Sequence, residues 1–393
     1  MVSRNKQARR LQSAVNKPHL VPALQVYAVT NQLNHPAAAN NCLGVKTLAP
    51  RFFKEQGSQR QAFTYGPFAV PGMGDHDHHD MKNFGFAMPP PCSDCFVTYA
   101  QGDLQYPNGS YANANTGMWL HHVIIANLNR AGIVCPTNAE LAFASGNERV
   151  PINICSNGFV DCHVLSHPRP DHTTASTQKA GYYIAPGSTF YFSAEIMNDK
   201  PETRDAALVV DWEFVPNTPG FKQATPLWLD IDGACGARGS QVPVPDNGAA
   251  KVFSLAMTPP WKATISADIL MIGSHLHDGG ESLQVTKNGA TVCDSVAKYG
   301  ESEGYVSTTI HEHGLLAAVP GSGVSKDKRA PAHTIKTPHL SSMSLCEPLG
   351  LKVQPGDEWS VRANYNLTNH KGMAEGSGLA PIMGIGVVYV VKN

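Results

Sequence analysis

The chain has 393 residues, enough at about 100 to 200 residues per domain for two domains that each own a core. Its 30 lysines and arginines nearly balance 31 aspartates and glutamates, so no global field attracts nucleic acid or an anionic membrane. No run of about 18 apolar residues is present, so no spanning segment is expected and the chain reads as a soluble monomer. With 35 glycines and 29 prolines spread along it, turns come often, and the apolar runs between them are short and rich in Val, Ile, Tyr and Phe. That is the pattern of an all-β protein.

Residues 1–60 alternate polar and apolar without a clear period, and Lys6, Arg9 and Arg10 suggest a solvated tail followed by an entry segment. Residues 61–218 hold the strand candidates CFVTYA, WLHHVIIANL, GYYIAP, STFYFSAEI and DAALVVDWEFV, the last two alternating well enough to be paired strands of a sandwich. VPNTPGFKQATP, at 215–226, is punctuated by proline and reads as the crossing between domains. Residues 225–393 hold LWLDI, KVFSLAM, ATISADILMIGSHLH, ESLQVTKNGATVC, EWSVRANYNL and IMGIGVVYVV, with Asn288-Gly289 at the centre of a two-residue hairpin. Lys326 to Lys336 reads as a basic surface loop, and no internal repeat at a fixed period is visible.

Nine cysteines, with sequons at Asn108 (NGS) and Asn366 (NLT), point to a secreted, disulfide-bonded glycoprotein, and the odd count leaves at least one thiol over. Against secretion, the opening MVSRNKQARRLQSAVNK is basic but has no apolar core to serve as a signal peptide.

The chemistry concentrates in histidines. His275 and His277, in MIGSHLHDGG, are separated by one residue, and period-two alternation puts them on the same face of a strand. His121 and His122, in MWLHHVIIAN, are adjacent, and both reach one metal only if the backbone bends there. Two separated pairs suggest two separated metal ions. Met383 stands at the start of the terminal apolar strand, where core packing is the ordinary role of a methionine. Two imidazoles and one thioether nevertheless suit copper, because sulfur stabilises Cu(I) while imidazole tolerates both oxidation states. An open fourth position then takes dioxygen.

At this point the residues resemble a known family. GSHLHDGG, NGATVCDSVAKYG, VQPGDEWSVRANYNLTNHKGM and PIMGIGVVYV resemble the second domain of the type II ascorbate-dependent copper monooxygenases, the group of peptidylglycine α-hydroxylating and dopamine β-monooxygenases. Plant stress-induced nodulin-like and fungal secreted relatives look closer still. GMWLHHVIIAN resembles the first-domain copper segment, and the likeness runs from about Phe63 to the C-terminus. It implies two tandem β-sandwiches, jelly-roll-like, each carrying one copper across a solvent-filled cleft. By the same resemblance His275, His277 and Met383 hold the copper that binds dioxygen. His121 and His122 hold the copper that delivers an electron, ascorbate or a similar reductant is co-substrate, and Cys293 pairs with Cys346. The family's third electron-site histidine is missing, and the comparable strand, STFYFSAEIMNDK, offers Glu195 or Met197 on one face, of which Met197 is preferred as a Cu(I) ligand. Alternatively Met197 is core, and the first site is two-coordinate or empty.

Other candidates have plainer readings. Asp75-His76-Asp77-His78-His79-Asp80 is either a metal-binding cluster or an exposed loop with adventitious affinity, and His163, His167 and His172 lie in a loop stapled by Cys155 or Cys162. His311 and His313 line a surface or cleft, and His339 and Met343 are structural. Cys92 and Cys95 form a CxxC without a βαβ context, which favours structural disulfides with other cysteines over a redox dithiol. Asp278 is either an orienting carboxylate for an imidazole or a turn residue before Gly-Gly. No nucleophile elbow, His-Glu-x-x-His or phosphate loop appears. The function expected is a copper-dependent oxygenase that hydroxylates a C–H bond of a small-molecule, peptide or glycan substrate. The rivals are a secreted copper-binding protein without turnover and a carbohydrate-binding sandwich, which leaves Met383 unexplained.

Overall fold

The computed structural model describes residues 42–72, 81–149, 152–154, 179–236, 239–311, 333–346, 350–375 and 378–393. The first strands are β1 (Cys42–Leu48), β2 (Gln59–Val70), β3 (Met81–Met88), β4 (Cys95–Gln105), β5 (Met118–Ala131), β6 (Ala139–Gly146), β7 (Ile152–Asn153), β8 (Ala180–Ile184), β9 (Phe190–Asn198) and β10 (Arg204–Pro216). Then come β11 (Lys222–Asp230), β12 (Val252–Ala256), β13 (Trp261–Lys262), β14 (Ala267–Leu276), β15 (Gly280–Lys287), β16 (Ala290–Tyr299) and β17 (Val306–His311). The last are β18 (His333–Pro338), β19 (Leu340–Met343), β20 (Lys352–Val353), β21 (Glu358–Asn366), β22 (Ala374–Glu375), β23 (Gly378–Leu379) and β24 (Gly384–Lys392). Short 3₁₀ turns are the only helical pieces among the described residues, so the protein is all-β as its composition predicts.

One long sheet runs β1-β2-β10-β4-β8-β11-β24-β14-β20, joining the two halves of the chain where β8 pairs in parallel with β11. Against its first half lies the sheet β3-β9-β5-β6, and against its second half lies β12-β21-β15-β16-β19. Sequence alternation decides these faces. On β21, Trp359, Val361, Ala363 and Tyr365 turn inward while Glu358 and Arg362 face water, the mark of a strand with one buried side. β24 reads as an unbroken apolar run because both of its sides are covered. Ile385, Val387, Tyr389 and Val391 join the first core, whereas Val388 and Val390 join the second. On that second side a Cβ at Gly386 would stand 2.9 Å from Val361 Cγ1, so only glycine lets β21 approach this closely.

Several expectations need revision. The two alternating runs expected to pair, β9 and β10, lie in different sheets and face each other across the first core, with the rings of Phe190 and Trp212 6.4 Å apart. Alternation reports a buried face and says nothing about the neighbouring strand. The segment before residue 60 showed no clear period, yet it contains β1, and Phe52 and Phe53 are buried in a small aromatic core with Phe96, Tyr99 and Val215. Asn288 and Gly289 do form the two-residue turn between β15 and β16, both at positive φ.

Cys293 pairs with Cys346, as the family resemblance implied. Cys92 and Cys95 bridge each other rather than other cysteines. A third bridge, Cys135–Cys235, was not foreseen and ties the loop after β5 to the turn after β11 across a separation of 100 residues. The calls on His76 to His79, on His163, His167 and His172, on Cys155 and Cys162, on His313 and on most of the Lys326–Lys336 loop lie outside the described residues. Replacing Cys135 and Cys235 together by serine is expected to cost about 2–5 kcal/mol, because a loop of this length is released in the unfolded chain. Urea unfolding measures it, and a loss under about 1 kcal/mol would show that the sheet alone holds the halves together.

Candidate metal centre

β5 and β14 meet at the junction of the two halves and bring the two histidine pairs together. Both are buried central strands, but each needs a local irregularity to aim its rings. In β5, Leu120 pairs with Ile196 and His122 with Glu195, leaving His121 as the extra residue of a bulge. The bulge is the bend that two adjacent histidines require, since in a regular strand they would point to opposite faces. In β14, His275 pairs with Ile385, and His277 follows just past the strand end. The Tyr365 hydroxyl fixes that end by accepting from the His277 backbone N–H at 3.1 Å and donating to the Met383 carbonyl at 2.6 Å.

The ring of His121 lies 4.3 Å from that of His277, centroid to centroid, and the His122 and His275 rings are 6.2 Å apart. Ligand atoms of His121, His122 and His277 all lie within 4.8 Å of one another, and all three residues are buried. The two histidine pairs, expected on opposite sides of a cleft, lie instead in one cluster of four imidazoles. The local spacings were legible, but which sheet faces which was not.

Two buried carboxylates and a carbonyl set the proton positions. Glu195 takes a hydrogen bond from His121 Nδ1 at 2.9 Å, Glu148 takes one from His275 Nδ1 at 2.7 Å, and the Pro381 carbonyl takes one from His277 Nδ1 at 2.7 Å. Because these oxygens only accept, each Nδ1 carries the proton, and each Nε2 keeps its lone pair. Those three Nε2 atoms are buried without a hydrogen-bond partner. His122 Nδ1, 3.1 Å from Glu195 but out of line for a hydrogen bond, is a fourth such atom. Nitrogens presented in this way by oriented imidazoles, with carboxylates behind them, are the usual dress of a metal site.

Electrostatics divide the rings. Burial, helped by the neighbouring rings of His121 and His275 and opposed by Glu195, pushes His122 down to about 3. Burial and the other three rings push His277 well below the ordinary histidine value. Burial also disfavours protonated His275, but the charge and hydrogen bond of Glu148 outweigh it and raise that group.

The remaining candidates fall around this cluster. Met383 is buried and lines an apolar cavity of about 50 Å³ together with His122, His275 and Glu148. Of the two residues weighed on β9, Glu195 reaches the histidines, while Met197 packs with Ala114, Trp119 and Met373. Asp278, expected to orient a ligand imidazole, meets His339 instead, at 2.6 Å, and also accepts from the Leu340 backbone N–H. The His339 ring lies 5.1 Å from Trp119, which stands edge-on to His121 at 5.7 Å. His311 lies on β17. Glu148 was missed entirely, because a single acidic residue in the turn after β6 carries no sequence signal of its own.

No family model matches the chain. It is 28% identical over 342 residues to "Probable copper-dependent oxygenase M1" of a Phoma species, covering 86% of this chain and 74% of that protein. It is 29% identical over 295 residues to "Probable copper-dependent oxygenase clz3" of Cochliobolus lunatus, covering 74% of this chain and 78% of the relative. Those names agree with the copper expected from the histidines. Glu195→Gln is expected to weaken copper binding about 10- to 100-fold, because the carboxylate that orients His121 is lost. A copper titration of the folded variant measures this, and unchanged affinity would remove Glu195 from the site.

Proposed function

We propose that this protein is a copper-dependent oxygenase that hydroxylates a C–H bond with dioxygen and an external reductant. The observation that carries the reading is the buried group of His121, His122 and His277, whose ligand atoms lie within 4.8 Å of one another. An all-imidazole set suits copper in both oxidation states, and a thioether nearby favours the reduced one. The residues therefore fit the ion. His121, His122 and His277 would hold it, and His275 and Met383 stand on the side that faces the cavity. Copper bound there supplies the one-electron redox chemistry that activates dioxygen, recharged by a reductant of the ascorbate class.

The overall reaction balances as R–H plus dioxygen, two electrons and two protons giving R–OH and water. The chain's own contribution is geometric and electrostatic. Glu195 and the Pro381 carbonyl hold the His121 and His277 rings in the tautomer that presents Nε2. Tyr365 locks the His277 and Met383 segments to each other, so their relative position does not drift. The apolar wall excludes water from one side of the site, which protects reactive species from wasteful quenching. Glu148 and His275 form a hydrogen-bonded pair at the cavity edge, placed to hold or release a proton there. Three disulfides among the described residues support work in an oxidising compartment, in keeping with a secreted protein.

Protein reconstituted with copper and desalted is expected to retain about one copper per chain and to consume oxygen on addition of ascorbate. The His121→Ala, His277→Ala double variant is expected to lose both while staying folded by circular dichroism. Copper retained without oxygen uptake would favour a copper carrier, and copper retained by the double variant would move the site elsewhere.

A further inference from the structure

A cavity of about 50 Å³ lies against the histidine cluster, bordered on that side by His122, His275 and Met383. Much of the rest of its wall is aliphatic, from Ile124 of β5 and from Ile385 and Val387 of β24. The hydroxyls of Ser145 and Ser274 are themselves buried within the wall, so the surface that meets the space is almost wholly apolar. No residue of the wall is exposed, and only Ala144, Trp228 and His275 are half-buried. A water molecule held in a protein needs about two to four polar partners, whereas an apolar void stays dry and admits apolar guests such as xenon. The space is therefore closed to water and open to a small apolar molecule. A void in a packed interior also costs stability that a larger side chain would recover, so its place against the histidines calls for an occupant.

From this we infer that the cavity is a chamber for dioxygen, which it holds dry beside the metal-binding histidines. The name of the gas rests on the copper reading, whereas the binding of a small apolar molecule does not. Dioxygen is uncharged and apolar, needs no hydrogen-bonding partner, and gains by leaving water for a hydrocarbon wall. Size favours it over an organic occupant. At about 50 Å³ the space is roughly a third of the 150 Å³ void known to admit benzene, so a ring does not enter without rearrangement. The reactive end of a larger substrate stays attached to a body that needs a standing mouth, and a wall with no exposed residue offers none. A diatomic gas needs only the brief openings that side-chain motion supplies. Held there, dioxygen is more concentrated at the His122 and His275 side of the cluster than in the surrounding water.

The test uses the full chain without copper, with xenon and dioxygen as probes. Wild type is expected to bind xenon, read as a shifted xenon NMR signal, and absence of that signal would overturn the chamber. Dioxygen is paramagnetic, so under oxygen pressure the methyl protons of Ile124, Ile385 and Val387 are expected to relax faster than buried methyls of the second core, such as those of Leu283 and Val361. Equal relaxation in the two sets would remove dioxygen from the cavity. Ala144→Leu, at the wall, is expected to abolish both effects, and Val387→Ile, which adds one methyl group and keeps the fold if the larger change does not, is expected to weaken both. Effects unchanged in the folded variants would place the gases elsewhere. Dissolved n-butane is expected to leave bound xenon in place, and its displacement of xenon would give the cavity to the alkyl end of an organic substrate instead. Loading wild type with Cu(II) is expected to shorten the relaxation of bound xenon. Relaxation unchanged in copper-loaded protein would show a chamber unconnected with the metal. Protein that binds xenon yet takes up no copper would sink the oxygenase reading, and the name dioxygen with it, while the apolar site stood.

Discussion

Burying imidazole nitrogens that have no partner is the constraint on which the junction between the two halves depends. Each unpartnered buried polar atom costs about 1–3 kcal/mol, and four such nitrogens lie at one point of this fold. Nothing in the packing of two β-sandwiches requires them, since apolar side chains would fill the same space at lower cost. The arrangement becomes intelligible when the nitrogens have a common partner, and every group behind them is placed accordingly. Glu195 is fully buried and stands against two of the rings, and Glu148 stands against a third. A buried carboxylate is itself expensive unless it is hydrogen-bonded, so rings and carboxylates stabilise one another in a particular tautomer.

Such a site is only as good as the backbone that aims it, and here that backbone comes from elements distant in sequence. β24 is the shared plank. One face closes the first core and the other closes the second, so β14, paired along it, cannot shift relative to β5 without disturbing both. The Tyr389 hydroxyl donates to the Ala142 carbonyl of β6, and the Asn147 side chain donates to the Leu340 carbonyl, so hydrogen bonds as well as apolar contacts cross the junction. Between His277 and β15, Tyr299 accepts from Gly279 and donates to Gly280, which pins the turn that follows the histidines. The outer ring of contacts, Asp278 to His339 to Trp119 to His121, extends the same support from the opposite side.

What could be read from the chain was local. His-Leu-His and His-His announce themselves by spacing, the Asn-Gly hairpin by turn chemistry, and the terminal run by its unbroken apolar character. What failed was relational. Strand alternation shows that Phe190, Phe192 and Ala194 are buried, but not that β9 pairs with β3 and β5 while β10 lies opposite. The same gap separated the histidines into two sites. Glu195 and Met197 share a face by alternation, so spacing alone could not say which of them reaches the rings. Their different surroundings settle it, since Glu195 meets two histidines across the β5 bulge and Met197 meets Trp119. A bulge is one residue of irregularity with no sequence signature, yet here it decides the site.

The two sides of the cluster differ, and the difference bears on what the site is for. Behind His121 and His122 lies the carboxyl group of Glu195, and ahead of His122 and His275 lies a wall of aliphatic and sulfur-bearing side chains. A protein that only stores or hands over copper needs the first side and has no use for the second, because transfer calls for ligands that a partner can replace and an approach that a partner can enter. Oxidation of a C–H bond needs both. The carboxylate side holds the rings in one tautomer, and the hydrocarbon side offers a place where an apolar group gains by leaving water. The cavity and the low basicity of His122 and His277 therefore belong to one arrangement, in which buried rings stay unprotonated beside an apolar wall.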